Sequence, residues 1–175
     1  MAKSKTVSGP AIISLPDYGR VPPQAIDMEE AVLGAIMLEK EAVITILDIL
    51  KPESFYKEAH QKIFKAVSDL SMREHPVDLY TVTEELRATN ELDSVGGPVY
   101  LTQLTSKVVS AAHVDYHARI VAQKYIQREL IRVSTEIQIR SYDDSYDVTD
   151  LLDYSENALF QIAEGNIKRE VSPIN

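Results

Sequence analysis

At 175 residues and 19.6 kDa, with 45% apolar and 26% charged side chains, the chain has the make-up of one water-soluble folded unit, not of a disordered or membrane-spanning sequence. A formal net charge of -9 and a pI near 4.9 argue against nucleic acid as a major partner of the chain by itself, because phosphate binding depends on clustered Lys and Arg. The absence of cysteine excludes disulfides, thiol nucleophiles and cysteine-ligated zinc, and is compatible with a reducing cytoplasm.

Residues 1–25 hold Pro10, Pro16, Pro22 and Pro23 without sustained periodicity and read as a flexible N-terminal arm; Met1 to Pro10 is polar and basic, with no apolar leader segment. At Asp27 the pattern changes. Asp27 and Glu30 have capping-box spacing, and Met28, Val32 and Ile36 share one helical side, which predicts a helix to about Leu38. Val43, Leu47 and Leu50 signal a second helix, stopped by Pro52. After Phe55 and Tyr56, the spacing of Ala59, Ile63, Val67 and Leu70 predicts a third, with Lys62, Lys65 and Asp69 outward. Either Asp78 or Thr81 can cap a fourth, with Leu79, Val82 and Leu86 inward. Gly96 and Gly97 mark a sharp turn, and Pro98 opens a fifth helix carrying Tyr100, Leu101 and Leu104. These elements make a compact head over residues 26–108.

From about Ala111 to Tyr142 there is neither proline nor glycine, and Ile126, Leu130, Val133 and Ile137 repeat at helical spacing, which predicts one long helix. The polar stretch Asp143 to Asp147 interrupts it, and Leu152, Leu159 and Ile162 define a return helix ending at Gly165. The fold class is therefore all-α, a multi-helix head followed by a long antiparallel helical hairpin over residues 109–166, with residues 167–175 leading onward. The outgoing arm carries Arg119, Lys124, Arg128, Arg132 and Arg140, whereas residues 143–164 carry seven acids and no Lys or Arg. Opposite fields favour antiparallel packing, or pairing with another copy. Two helices alone bury only one seam. The apolar stripe of Ile126, Leu130, Val133, Ile137, Leu152, Leu159 and Ile162 is thus expected to pack within the hairpin or across a dimer, with folding back onto the head as the alternative.

Signals for chemistry are weak. No G-x-x-x-x-G-K-[ST] loop is present, and the Gly96-Gly97 turn is followed by Pro98, which has no N–H to offer a phosphate. His113 and His117 stand one helical turn apart, but Val114 follows His113 where the protease motif H-E-x-x-H has glutamate, so surface or interface histidines are expected and no metal site. His60 reads as a packed or capping histidine without an accompanying nucleophile, and the pairs Glu29-Glu30 and Glu84-Glu85 as helix-end electrostatics. Lys124, Arg128 and Arg132 form an i, i+4, i+8 row; a solvated face paired with nearby acids is the expectation, and contact with a partner or single-stranded DNA the alternative.

Taken in order, Val21-Pro22-Pro23, the run Glu30 to Leu38, Phe55-Tyr56 with His60 and Ile63-Phe64, Pro76 to Leu79, Leu92 to Gly97 with Tyr100-Leu101, Ser110-Ala111-Ala112 and Arg128 to Ile131 resemble the N-terminal domain of the DnaB-type replicative helicase. The resemblance runs through nearly the whole folded chain. It implies hairpins that pair into dimers, arranged as a trimer of dimers in a hexameric collar, and a platform for the C-terminal domain of primase. It also implies a following RecA-like motor, absent from this sequence, which would bind ATP and Mg and move on single-stranded DNA. The chain itself is expected to hold no cofactor, to catalyse no reaction, to meet no membrane and to reside in the cytoplasm at replication forks.

Overall fold

The computed structural model describes residues 20–108 and 112–170, with side chains to residue 165. Most of the expected N-terminal arm, and the segment after residue 170, lie outside the described residues. The elements are α1 (Ile26–Leu38), α2 (Lys40–Ile49), a 3-10 turn (Pro52–Ser54), α3 (Glu58–Met72), α4 (Leu79–Ala88), α5 (Gly97–Ser106), α6 (Val114–Ser141) and α7 (Val148–Glu170), with no strand among the described residues. The all-α head and hairpin expected from the periodicities are the architecture observed.

α1 is the axis of the head. Its run Val32 to Met37 is buried on every side, as an unbroken apolar stretch requires, and α2, α3, α5 and α6 pack around it. Gly34 is needed there: a Cβ would collide with the Leu104 carbonyl and the Val108 side chain, so its absence lets α1 and α5 close together. The core continues through Ile46 of α2 and through Phe55 and Phe64, whose ring centroids lie 4.9 Å apart. α6 does not begin outside this core. Val114, Ala118, Val121 and Ala122 share one helical face and pack into it, so the first two turns of the hairpin's outgoing arm belong to the head.

Several local expectations change. α1 starts at Ile26, and the Ala25 carbonyl accepts the N–H groups of Met28 and Glu29, both at 3.0 Å; Asp27 makes no cap because it already lies inside the first turn. At α4 the choice falls on Asp78, whose Oδ1 accepts the Thr81 N–H at 2.8 Å while Thr81 Oγ1 accepts the Asp78 N–H at 3.0 Å. Gly96, at φ 107°, supplies the left-handed turn into α5. Gly165 does not end α7, which runs on to Glu170. A glycine inside a helix costs about 1 kcal/mol and stops it only where the chain also turns left-handed or meets proline.

Candidate functional site

The hairpin stripe divides by depth. Val133 is 1% exposed, apart from the head core, along the stretch where α6 pairs with α7, and Ile126, Ile137 and Ile162 are half-buried. Leu130, Leu152 and Leu159 stand 40%, 59% and 45% exposed. Ile131, Ile139, Val148 and Phe160 are also exposed, and the sequence reading named none of them as part of this surface. Their spacing from the stripe residues offered the signal: Ile131 and Phe160 each sit one position from a stripe leucine, widening the apolar arc beyond what a single seam uses. An isolated exposed leucine is ordinary; here Val148, Leu152 and Leu159 share one side of α7 and Leu130 with Ile131 adds an apolar strip on α6, whereas Ile139, nine residues from Leu130, falls on the opposite side of that helix.

The hairpin's charges are settled mainly within its own helices. Arg132 Nη2 donates to Glu129 Oε2 at 2.9 Å and Arg140 Nε to Glu136 Oε1 at 2.8 Å. Across the hairpin, Arg140 lies 3.9 Å from the Tyr154 ring centroid and 5.5 Å from that of Tyr146. The acidic arm is thus met by a cation–π contact that ties its first turns to the end of α6.

The basic row Lys124, Arg128 and Arg132 is not one solvated face. Among the described residues Lys124 Nζ reaches Gln127 Oε1, at 3.4 Å, and Arg132 is held by Glu129. Arg128 turns inward. Its Nη1 donates to the Pro23 carbonyl at 2.8 Å and its Nη2 to the Ser54 carbonyl at 2.7 Å, with the Tyr56 and Tyr125 ring centroids 5.7 and 5.8 Å away. Burial pushes the guanidinium pKa down, against the opposing pull of Glu29, Tyr125 and Tyr56. Arg128 is therefore committed to the head, which takes the central cation out of the row that a nucleic-acid strand would need.

Inside the head, Glu29 and His60 are buried together. His60 Nδ1 is 2.6 Å from Glu29 Oε2, and His60 Nε2 is 2.7 Å from the Tyr100 hydroxyl. Glu29 Oε1 accepts the Tyr56 N–H at 2.7 Å, and Lys57 Nζ donates to the Tyr100 hydroxyl at 3.1 Å. Helix-end electrostatics does not describe Glu29: the carboxylate joins α1 to α3, and through His60 to α5. At the edge of this network burial raises the Glu30 carboxyl pKa, but the hydrogen bond and charge of Lys107 outweigh it, helped by His60 and Lys57, and hold it below its ordinary value. Every buried polar side-chain atom among the described residues has a partner. Such a satisfied cluster locks three helices together and presents no open nucleophile or base.

His113 is the exposed residue before α6 and His117 is half-buried in its first turn; no group of three ligating side chains comes together among the described residues. The turn into α5 also fails to fit a nucleotide phosphate, since Pro98 stands in the first turn without an N–H. No helix among the described residues is long and apolar enough to cross a membrane.

Residues 21–123 match the family described as the DnaB-like helicase N-terminal domain. The chain is 46% identical over 157 residues to the replicative DNA helicase DnaB of Rhodothermus marinus, and 43% identical over 145 residues to that of Geobacillus stearothermophilus. These alignments cover 90% and 83% of this chain but only 17% and 32% of the two relatives. Among solved structures, the N-terminal domain of DnaB helicase from Mycobacterium tuberculosis superposes with a TM-score of 0.74 at 35% identity, covering 81% of this chain and 99% of that one. A DnaB-like replicative helicase, solved in a study of its interactions with primase, gives a TM-score of 0.67 at 25% identity and covers 81% of this chain and 31% of that one. With the family match spanning more than half its length and the fold agreeing, this chain belongs to the DnaB-like helicase N-terminal domain family.

Proposed function

We propose that this chain acts as the collar of a replicative helicase: it pairs subunits through the exposed apolar face of its hairpin and offers a platform to the C-terminal domain of primase. The observation that carries the reading is the hairpin's surface, where Leu130, Leu152 and Leu159, with Ile131 and Phe160, remain open to solvent in a chain whose head core is closed. A second copy covers such a face most economically, because an isologous pairing sets the same patch against itself. Hairpin dimers arranged three to a ring would give the hexameric collar. Primase binding is supported by likeness to a helicase whose structure was reported with its primase interactions.

In this reading the chain performs no reaction of its own. ATP and Mg belong to the motor of the whole helicase, the cytoplasm is its compartment, and single-stranded DNA is met only through the assembled ring. The test is the mass of the purified chain by light scattering across a concentration series, with and without the C-terminal domain of primase. Mass that climbs from monomer toward dimer or higher, and a complex with primase, are expected. A strict monomer indifferent to primase would overturn the proposal.

A further inference from the structure

The apolar anchoring of α6 to the head stops early. Val114, Ala118, Val121 and Ala122 enter the head core, and after Ala122 no residue of α6 does so. The helix continues to Ser141, so most of its length projects past that anchor. A rod held over only its first turns is free to tilt unless a second support lies further along.

Arg128 is that support. It stands six residues beyond Ala122, about 9 Å farther along the helix at 1.5 Å per residue. Its two bonds go to the Pro23 carbonyl, in the segment entering α1, and to the Ser54 carbonyl, at the end of the 3-10 turn. Both acceptors are backbone, so the contact depends on where the head's main chain lies and not on a rotatable partner side chain. The Tyr56 and Tyr125 rings add cation–π contacts from the head and from α6 itself. Lysine would be a poor substitute, because a single ammonium does not reproduce the planar fork that spans two carbonyls.

Beside Arg128 a cleft of about 370 Å³ opens between the hairpin's own arms, lined by Tyr125, Ile126 and Arg132 of α6 and Tyr154 and Ile162 of α7, and the head reaches it through Lys51, whose Nζ lies 4.9 Å from the Tyr125 ring centroid. Past Ala122 the junction therefore rests on polar contacts and not on a close-packed core.

We propose that Arg128 is a positioning residue, a latch that fixes the angle between hairpin and head. For assembly the inference rests on the collar reading, since the angle decides where the hairpin's apolar face points; the latch itself is a property of the single chain.

The full 175-residue chain contains no cysteine, so Lys65→Cys on the head and Gln138→Cys on the hairpin, both at exposed positions, give two unique spin-label sites. Labelled chain diluted into excess unlabelled chain reports the distance within one molecule. With Arg128 intact a single narrow distance distribution is expected. Arg128→Met should broaden it and shift its mean, Arg128→Lys should restore it only partly, and Arg132→Gln, one turn further on, should leave it unchanged. An unaltered distribution in folded Arg128→Met and Arg128→Lys would overturn the proposal. If Arg128→Met fails to fold, Arg128→Lys decides; if both fail, Arg128 is a stability residue and the positioning role is refuted. Light scattering on the same samples separates the two ideas, because a wild-type chain that stays monomeric contradicts the collar reading and leaves the latch standing.

Discussion

The head and the hairpin are built from the same amphipathic helices and reach opposite ends. In the head, α1 is wrapped on all sides, and even the ionisable Glu29 and His60 are buried with every bond satisfied. In the hairpin, two long helices share one seam, bury Val133, and leave leucines of both arms in water. Helical patterning supplies an apolar stripe in both regions, but only where three or more elements converge does that stripe become a core. The head closes a core; the hairpin closes one seam and leaves the rest of its stripe open.

The largest expected effect tests the head. Glu29→Ala leaves His60 without its carboxylate and the Tyr56 N–H without its acceptor, and should cost about 3–5 kcal/mol in urea unfolding, the range for breaking one side of a buried pair. A loss under about 1 kcal/mol would mean that the network adds little to the lock between α1 and α3. Next comes Gly34→Val, which drives a side chain into the Leu104 carbonyl and should cost roughly 1–3 kcal/mol or more by the same assay. A neutral outcome would show that α1 and α5 can separate without penalty.

The hairpin should behave differently. Leu159→Asp and Leu130→Asp replace side chains already 45% and 40% exposed, so the single chain should lose no more than about 1 kcal/mol while self-association is lost. A large stability loss in dilute monomer would place these leucines inside the fold instead of on an interface. The smallest effect belongs to the rim of the head. The folded state holds Glu30 below its ordinary pKa, so its ion pair contributes fully above the unfolded value and is lost as pH falls through the folded one. Glu30→Gln should therefore lower the melting temperature at pH 7 and cease to matter once the pH has fallen below the folded-state pKa of Glu30. A difference that persists in acid would implicate packing, not charge.

The sequence legibly specified the helices. Ala59, Ile63, Val67 and Leu70 marked the inward face of α3, and the proline- and glycine-free stretch announced α6. What it concealed required knowledge of neighbours. Glu29 beside Glu30 looks like first-turn electrostatics until α3 brings His60 and the Tyr56 N–H onto it. Arg128 looks like one of three equivalent cations, and only the passage of Pro23 and Ser54 beside α6 sets it apart from Lys124 and Arg132. Periodicity likewise put Leu130 and Val133 on one stripe, yet α7 covers the second far better than the first. A period of 3.6 states which residues share a face; it does not state what arrives to cover it.

The central claim is that the hairpin is the self-association surface, and the most direct measurement is the concentration-dependent mass of the wild-type chain beside folded Leu130→Asp and Leu159→Asp. The account predicts a wild type whose mass rises above monomer and variants that stay monomeric with unchanged helix content. Variants that associate as tightly as the wild type would contradict it.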